Sequence, residues 1–129
     1  MKNFMDDQDF LLSTKTGEEL FHNFAEGMPI VDYHCHISPK EIWDDKRFEN
    51  ITEVWLGGDH YKWRLMRANG VDERFITGDA PAREKFQKWA ETLGRCVGNP
   101  VFEWSHLELK RFFGYEGVLN GNTAQEVWD

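Results

Sequence analysis

One stretch of this chain, Ile30-Val31-Asp32-Tyr33-His34-Cys35-His36, reads as a β-strand, and it stands among many short helices. A strand cannot satisfy its backbone donors and acceptors alone. The run therefore belongs to a sheet whose other strands are supplied elsewhere. Its apolar start and β-branched residues predict a buried strand. Successive side chains of a strand point to opposite faces, so His34 and His36 share one face, about 6.6 Å apart along it. Two such imidazoles can bind one divalent metal, at roughly 2.0–2.1 Å for zinc. A catalytic zinc usually has three protein ligands and a water, so the pair predicts a further ligand elsewhere. The alternative is a pair of structural histidines on a solvated edge. Asp32 shares their face, as a partner for an imidazole or as a polar residue bonded to backbone. Cys35 faces the other way and is expected to be a packed thiol.

Helix signals punctuate the rest. Thr16-Gly17-Glu18-Glu19 reads as a capping box that opens a helix with Leu20, Phe21, Phe24 and Ala25 on one side, closed by Gly27. Ser38-Pro39-Lys40-Glu41 is a second box with proline at the first helical position. Ile51–Leu56 predicts another helical piece, ended by Gly57-Gly58. Asp59 caps a helix over 60–69, terminated by Gly70. Residues 72–76 allow one turn. Asp79 is placed as the cap of a helix from Ala80 to Leu93, whose Phe86, Trp89, Ala90 and Leu93 follow helical spacing. Asn99-Pro100 starts a helix running to Phe113, with Gly114 beyond it. Thr123-Ala124-Gln125-Glu126 is a third box, followed only by Val127, Trp128 and Asp129. Helices average about 11–12 residues, so this short run, together with the lone strand, predicts a piece of a larger protein.

Composition narrows the function. The 129 residues suit one domain, and 23 Asp+Glu against 15 Lys+Arg give a formal net charge of −8. Nucleic acid is disfavoured, because basic patches supply most of that affinity. No apolar run approaches the roughly 18 residues of a membrane span, and Met1–Asp7 is too polar for a signal peptide. A cytoplasmic protein is expected. Cys35 and Cys96 make no disulfide framework and are read as thiols of a reducing compartment. The 10 Phe, 6 Trp and 3 Tyr predict packing against something larger.

Gly57-Gly58-Asp59-His60-Tyr61-Lys62-Trp63-Arg64 gathers donors, an acid and aromatics at a helix mouth, where an anion is favoured. His60 can act as acid or base, and Tyr61 can donate to a sugar hydroxyl or a carboxylate. A capped helix with amphipathic aromatics would look the same. Arg64 and Arg67, one turn apart, suit a substrate carboxylate or an ion-paired face. His106 reads as a packed or surface histidine, and Glu108-Lys110-Arg111 as a charged face.

These residues closely resemble the N-terminal portion of the uronate isomerase (glucuronate isomerase) family of the amidohydrolase superfamily. The resemblance covers essentially the whole chain. It is carried by Asp32-Tyr33-His34-Cys35-His36, by Trp55-Leu56-Gly57-Gly58-Asp59-His60-Tyr61-Lys62-Trp63-Arg64, and by Met66-Arg67-Ala68-Asn69-Gly70-Val71. Phe4-Met5, Thr77-Gly78-Asp79-Ala80, Gly98-Asn99-Pro100 and His106-Leu107-Glu108-Leu109-Lys110-Arg111 extend it. It implies a mostly helical piece with one or two short strands, the N-terminal fragment of a metal-dependent (β/α)₈ TIM barrel. Residues 1–27 would be an N-terminal helix, 28–37 the first barrel strand and 38–129 a helical insertion over the catalytic face. It implies interconversion of D-glucuronate with D-fructuronate and of D-galacturonate with D-tagaturonate. His34 and His36 would be metal ligands, zinc being the expected ion. His60 and Tyr61 would be catalytic and, with Arg64, would bind the hexuronate. Around position 103 the family usually has an aromatic-His-Trp run, whereas this chain has Phe102-Glu103-Trp104. The family's aspartate ligand on the last strand, its neighbouring arginine and a later histidine have no counterpart here. A barrel takes roughly 250 residues, so the chain alone is expected to be inactive, the full-length parent oligomerising or not. The competing readings are another metal-dependent hydrolase or phosphoesterase with a strand-borne His-x-His, and a non-catalytic helical remnant that binds a partner.

Overall fold

Phe86, Trp89, Ala90 and Leu93 form an unbroken stripe with no solvent exposure, and the core is organised around the helix that carries them. The computed structural model describes residues 5, 6 and 8–129; Met1–Phe4 and Asp7 of the polar N-terminus lie outside the described residues. In chain order the helices are α1 (Lys15–Leu20), α2 (Pro39–Trp43), α3 (Ile51–Leu56), α4 (His60–Ala68), α5 (Ala82–Leu93), α6 (Pro100–Phe113) and α7 (Ala124–Trp128). A π-helical turn, Phe21–Ala25, extends α1, and a 3₁₀ turn spans Glu73–Phe75. The chain forms two compact units, one ending at Cys35 and the other running from His36 to Asp129.

In the second unit α5 packs against α3, α4 and α7. Its stripe joins Trp55 and Leu56 of α3, Met66 of α4, Phe102 and Leu109 of α6, and Ala124 of α7. Burying a large aromatic or aliphatic side chain contributes about 1.5–3 kcal/mol, so the Phe86, Trp89 and Leu93 positions of this stripe each contribute on that order. The caps fix the helix starts. Asn50 accepts from the backbone of Glu53 at 3.0 Å, and Asn99 accepts from that of Val101 at 3.0 Å. Gly114 closes α6 at φ +68°, a left-handed conformation that costs glycine little.

His106 is 1% exposed on α6 and joins two backbone groups. The Leu119 N–H donates to Nε2 at 2.9 Å, so Nδ1 carries the proton and donates to the Phe102 carbonyl at 2.6 Å. Burial pushes its pKa down, against the pull of the Phe102 carbonyl and the Glu103 charge. The neutral ring thus pins Leu119 to α6.

Three expected helix starts are corrected. α5 begins at Ala82 instead of Ala80, because Pro81 disfavours a helical Ala80 and is itself extended (ψ 144°). Thr14, not Thr16, caps α1, accepting from Gly17 at 3.0 Å. The Thr123 hydroxyl does not cap α7; it donates to the Val118 carbonyl at 2.8 Å and accepts from the Asn120 N–H at 2.9 Å.

The described residues are helical and contain no strand. Residues 29–35 run without a ladder, and Ile30, Val31 and Tyr33 are 91%, 84% and 94% exposed. The predicted buried strand is not formed, because a strand needs a hydrogen-bonded neighbour and none exists among the described residues. Cys35 is likewise exposed rather than packed, Cys96 is half-buried, and no disulfide joins them. On the helical side of this unit, Leu20 and Phe24 are exposed. His22 lies between Asp9 at 2.9 Å and Glu26 at 3.1 Å, and these carboxylates raise its pKa. Among the described residues no helix is long and apolar enough to cross a membrane.

Candidate active site

The start of α4 is the chemically densest part of the second unit. Gly57 and Gly58 end α3, and Asp59 adopts an extended conformation as the α4 cap. Its Oδ1 accepts from the Tyr61 N–H at 2.9 Å and the Lys62 N–H at 3.4 Å. Its Oδ2 accepts from the Lys62 ammonium at 2.7 Å. Oδ1 also lies 3.3 Å from His36 Nδ1, with the two side chains only 25% and 16% exposed. Burial pushes the Asp59 carboxyl up, but the Lys62 ammonium and the α4 N–H groups outweigh it and hold it below the ordinary carboxylate range.

Three rings meet beside this carboxylate. The centroids of His36 and His60 are 5.2 Å apart, those of His36 and Tyr61 5.0 Å, and those of His60 and Tyr61 4.7 Å. Interplanar angles of 31–38° place the rings in tilted contact. The Arg64 guanidinium stands 5.6 Å over the Tyr61 ring, a cation–π distance. Tyr61 is 43% exposed, and His60 and Arg64 are exposed too, so the cluster opens to solvent. An imidazole and a phenol in contact provide groups that donate and accept protons. The arginine adds a fixed positive charge suited to a carboxylate.

The structure separates the two arginines that spacing left equivalent. Arg67 is committed to Glu73, with Nε at 2.8 Å and Nη2 at 2.5 Å from its two oxygens. This pairing, helped by the Thr77 hydroxyl, lowers the Glu73 pKa to about 2. Arg64 has no ion-pair partner among the described residues. Glu108, read as part of a charged face, instead accepts from the Trp55 indole at 2.6 Å.

His34 belongs to the first unit and His36 to the second. The His34 backbone N–H is bonded to Asp32 Oδ1 at 3.2 Å, so Asp32 serves the backbone there. No group of three or more His, Cys, Asp or Glu side chains placed to hold a metal lies among the described residues. The sequence places His36, His60 and Tyr61 at a site and Asp59 there as a helix cap and an acid, but it gives Asp59 no partner in His36 and Lys62 no role of its own. A lysine three residues after a capping aspartate, one turn along the same helix, is the signal the sequence carries.

A family model described as glucuronate isomerase matches residues 1–129. The uronate isomerase of Lachnospira eligens is 70% identical over 129 residues, which are all of this chain and 27% of that protein. That of Endomicrobium trichonymphae is 66% identical over 128 residues, 99% of this chain and again 27% of the relative. Among solved structures, the crystal structure of uronate isomerase from Thermotoga maritima at 2.85 Å resolution aligns with a TM-score of 0.83 and 41% identity, over 94% of this chain and 27% of that one. The chain thus spans about a quarter of the length of the relatives it matches.

Proposed function

The chain belongs to the glucuronate isomerase family, and we propose that its His36–His60–Tyr61 cluster forms part of the active site of a cytoplasmic, metal-dependent hexuronate isomerase. The activity is assigned to the full-length protein that carries this N-terminal portion. It interconverts D-glucuronate with D-fructuronate and D-galacturonate with D-tagaturonate. In this reading residues 30–36 become the first strand of a (β/α)₈ barrel once sheet neighbours pair with them, and the helices from α2 onward cover the catalytic face. The contact of His36 with both His60 and Tyr61 carries the reading. It brings the histidine of the His-x-His motif against two groups able to move protons.

His36 fits a metal ligand by the company of its other ring nitrogen. A carboxylate at Nδ1 is the usual partner of a metal-bound imidazole, because it fixes the tautomer and raises the basicity of the remaining nitrogen. His34 and His36 would hold a divalent ion, zinc suiting imidazole nitrogen, with a further ligand from outside these residues. When bound, such an ion would polarise the sugar's carbonyl and hydroxyl oxygens. Aldose–ketose isomerisation moves a proton between neighbouring carbons and needs both a base and an acid. His60 and Tyr61 take those proton-handling roles, Tyr61 also assisting ring opening. Arg64, exposed and unpaired among the described residues, binds the hexuronate carboxylate.

The test is an isomerisation assay on D-glucuronate and D-galacturonate with the full-length protein, its His60→Ala and Tyr61→Phe variants, and a parallel phosphomonoester assay. General acid–base groups contribute about 10²–10⁴-fold, and a loss of that order in kcat is expected for each variant. Turnover of the phosphomonoester with none of the uronates would overturn the proposal in favour of a hydrolase.

A further inference from the structure

Lys62 is charged, yet only 8% exposed. An ammonium taken out of water is costly unless it is paired, and this one has a specific partner. Its Nζ lies 2.7 Å from Asp59 Oδ2 and 5.8 Å from the Trp55 ring centroid. Trp55 is itself 4% exposed and anchored through its indole nitrogen to Glu108. The lysine therefore approaches Asp59 from a rigid wall of α3 and α6.

Capping α4 does not require this. Oδ1 already accepts from the Tyr61 N–H, and one oxygen is enough for a cap. A carboxylate held by one oxygen can still turn about its terminal torsion, which is broad and soft. Partial turning, with the cap bond bent but kept, would lengthen the 3.3 Å approach of Oδ1 to His36 Nδ1. Lys62 holds the second oxygen and removes that freedom, leaving Oδ1 aimed at both the helix N–H groups and the imidazole.

We infer that Lys62 is a positioning residue for the His36 imidazole, acting through the Asp59 carboxylate. The inference rests on the assignment of His36 as a metal ligand. It adds that the ring's tautomer and orientation are set three residues into α4, by a side chain that touches neither metal nor substrate. The same helical turn carries His60 and Tyr61, so one element fixes His36 and presents the two groups beside it.

The experiment compares the full-length protein with its Lys62→Met and Lys62→Arg variants in two readouts. The first is zinc affinity, by competition with a chromophoric chelator. The second is the ¹⁵N ring shifts of His36 in metal-free, histidine-labelled protein, assigned with a His36→Gln variant. Loss of the partner behind a ligating histidine typically weakens metal binding 10–100-fold. Lys62→Met should show such a loss, together with His36 shifts that move from one tautomer toward a mixture, while Lys62→Arg recovers part of both. Unchanged affinity and unchanged shifts in Lys62→Met, with His36→Gln still weakening zinc, would overturn the inference and leave the metal assignment standing. Unchanged zinc affinity in His36→Gln would instead overturn the metal assignment on which the inference rests. Should Lys62→Met not fold, Lys62→Gln, uncharged and too short to hold Oδ2, is read in the same way.

Discussion

The Trp55 indole nitrogen donates to the Glu108 carboxylate at 2.6 Å, tying α3 to α6 across the buried side of the second unit. Both residues gain from the pair. The indole is 4% exposed and has one N–H to satisfy. Glu108→Ala should cost about 1–3 kcal/mol, the desolvation penalty of an orphaned donor. Glu108→Gln, which keeps an acceptor oxygen, should cost less than about 1.5 kcal/mol. Urea unfolding followed by tryptophan fluorescence measures both.

His106 gives the second unit a pH dependence of known sign. Its folded pKa lies below the ordinary 6.5, chiefly through burial. As pH falls through 6.5 the unfolded chain takes up the proton first, so the stability this ring contributes is present above 6.5 and lost toward its lower folded value. Between about pH 7.5 and about pH 5.5 the parent should lose more stability than His106→Gln, measured by urea midpoints. His22 works in the opposite sense. Raised by Asp9 and Glu26, its contribution is present at low pH and fades as pH rises, and solvent screening keeps it small.

The two arginines of α4 should behave differently on substitution. Arg64→Ala should raise KM for either hexuronate roughly ten- to a hundredfold, the worth of a charge-assisted hydrogen bond of about 1.5–3 kcal/mol. Arg67→Ala should leave KM unchanged and let the Glu73 carboxyl titrate upward from about 2 toward its ordinary value. Steady-state kinetics and a carboxyl ¹³C titration read these outcomes.

Gly114→Ala should destabilise the second unit by about 1–2 kcal/mol, the penalty of a side chain at positive φ. Here φ is +68°, and the Tyr115 N–H returns to the Leu109 carbonyl at 3.1 Å. Thermal unfolding by circular dichroism checks it, with Gly27→Ala, where φ is negative and the added carbon meets nothing, as the control.

Much of the helical framework was readable residue by residue. Asp59 and Asn99 cap where their sequence contexts place them, and the α5 stripe is buried as its spacing requires. These are local signals, decided within one or two turns. Pro81 delayed α5 because the restriction it places on Ala80 outweighs the capping preference of Asp79. The strand over residues 30–36 is absent among the described residues for the opposite reason. The β-preference of Ile30 and Val31 describes a half-buried pleated surface that other strands must provide. At the site, His60 and Tyr61 were legible as neighbours in a motif. The approach of His36 to Asp59, 23 positions earlier in the chain, is set by how the segment before α2 returns to the mouth of α4, which no spacing rule expresses.

The π turn after α1 bears on how this chain can vary. The Glu26 N–H reaches back five residues to the Phe21 carbonyl at 2.8 Å, and the turn thereby holds one residue more than an α turn. Its geometry depends on the number of residues and only weakly on which they are. Point substitutions at Phe21 or Phe24 leave that count intact. A single-residue deletion would let the turn close as regular α-helix, its backbone bond reaching back four residues instead of five. The segment can therefore lose one residue without breaking the helix, so a change of length is expected to be tolerated here.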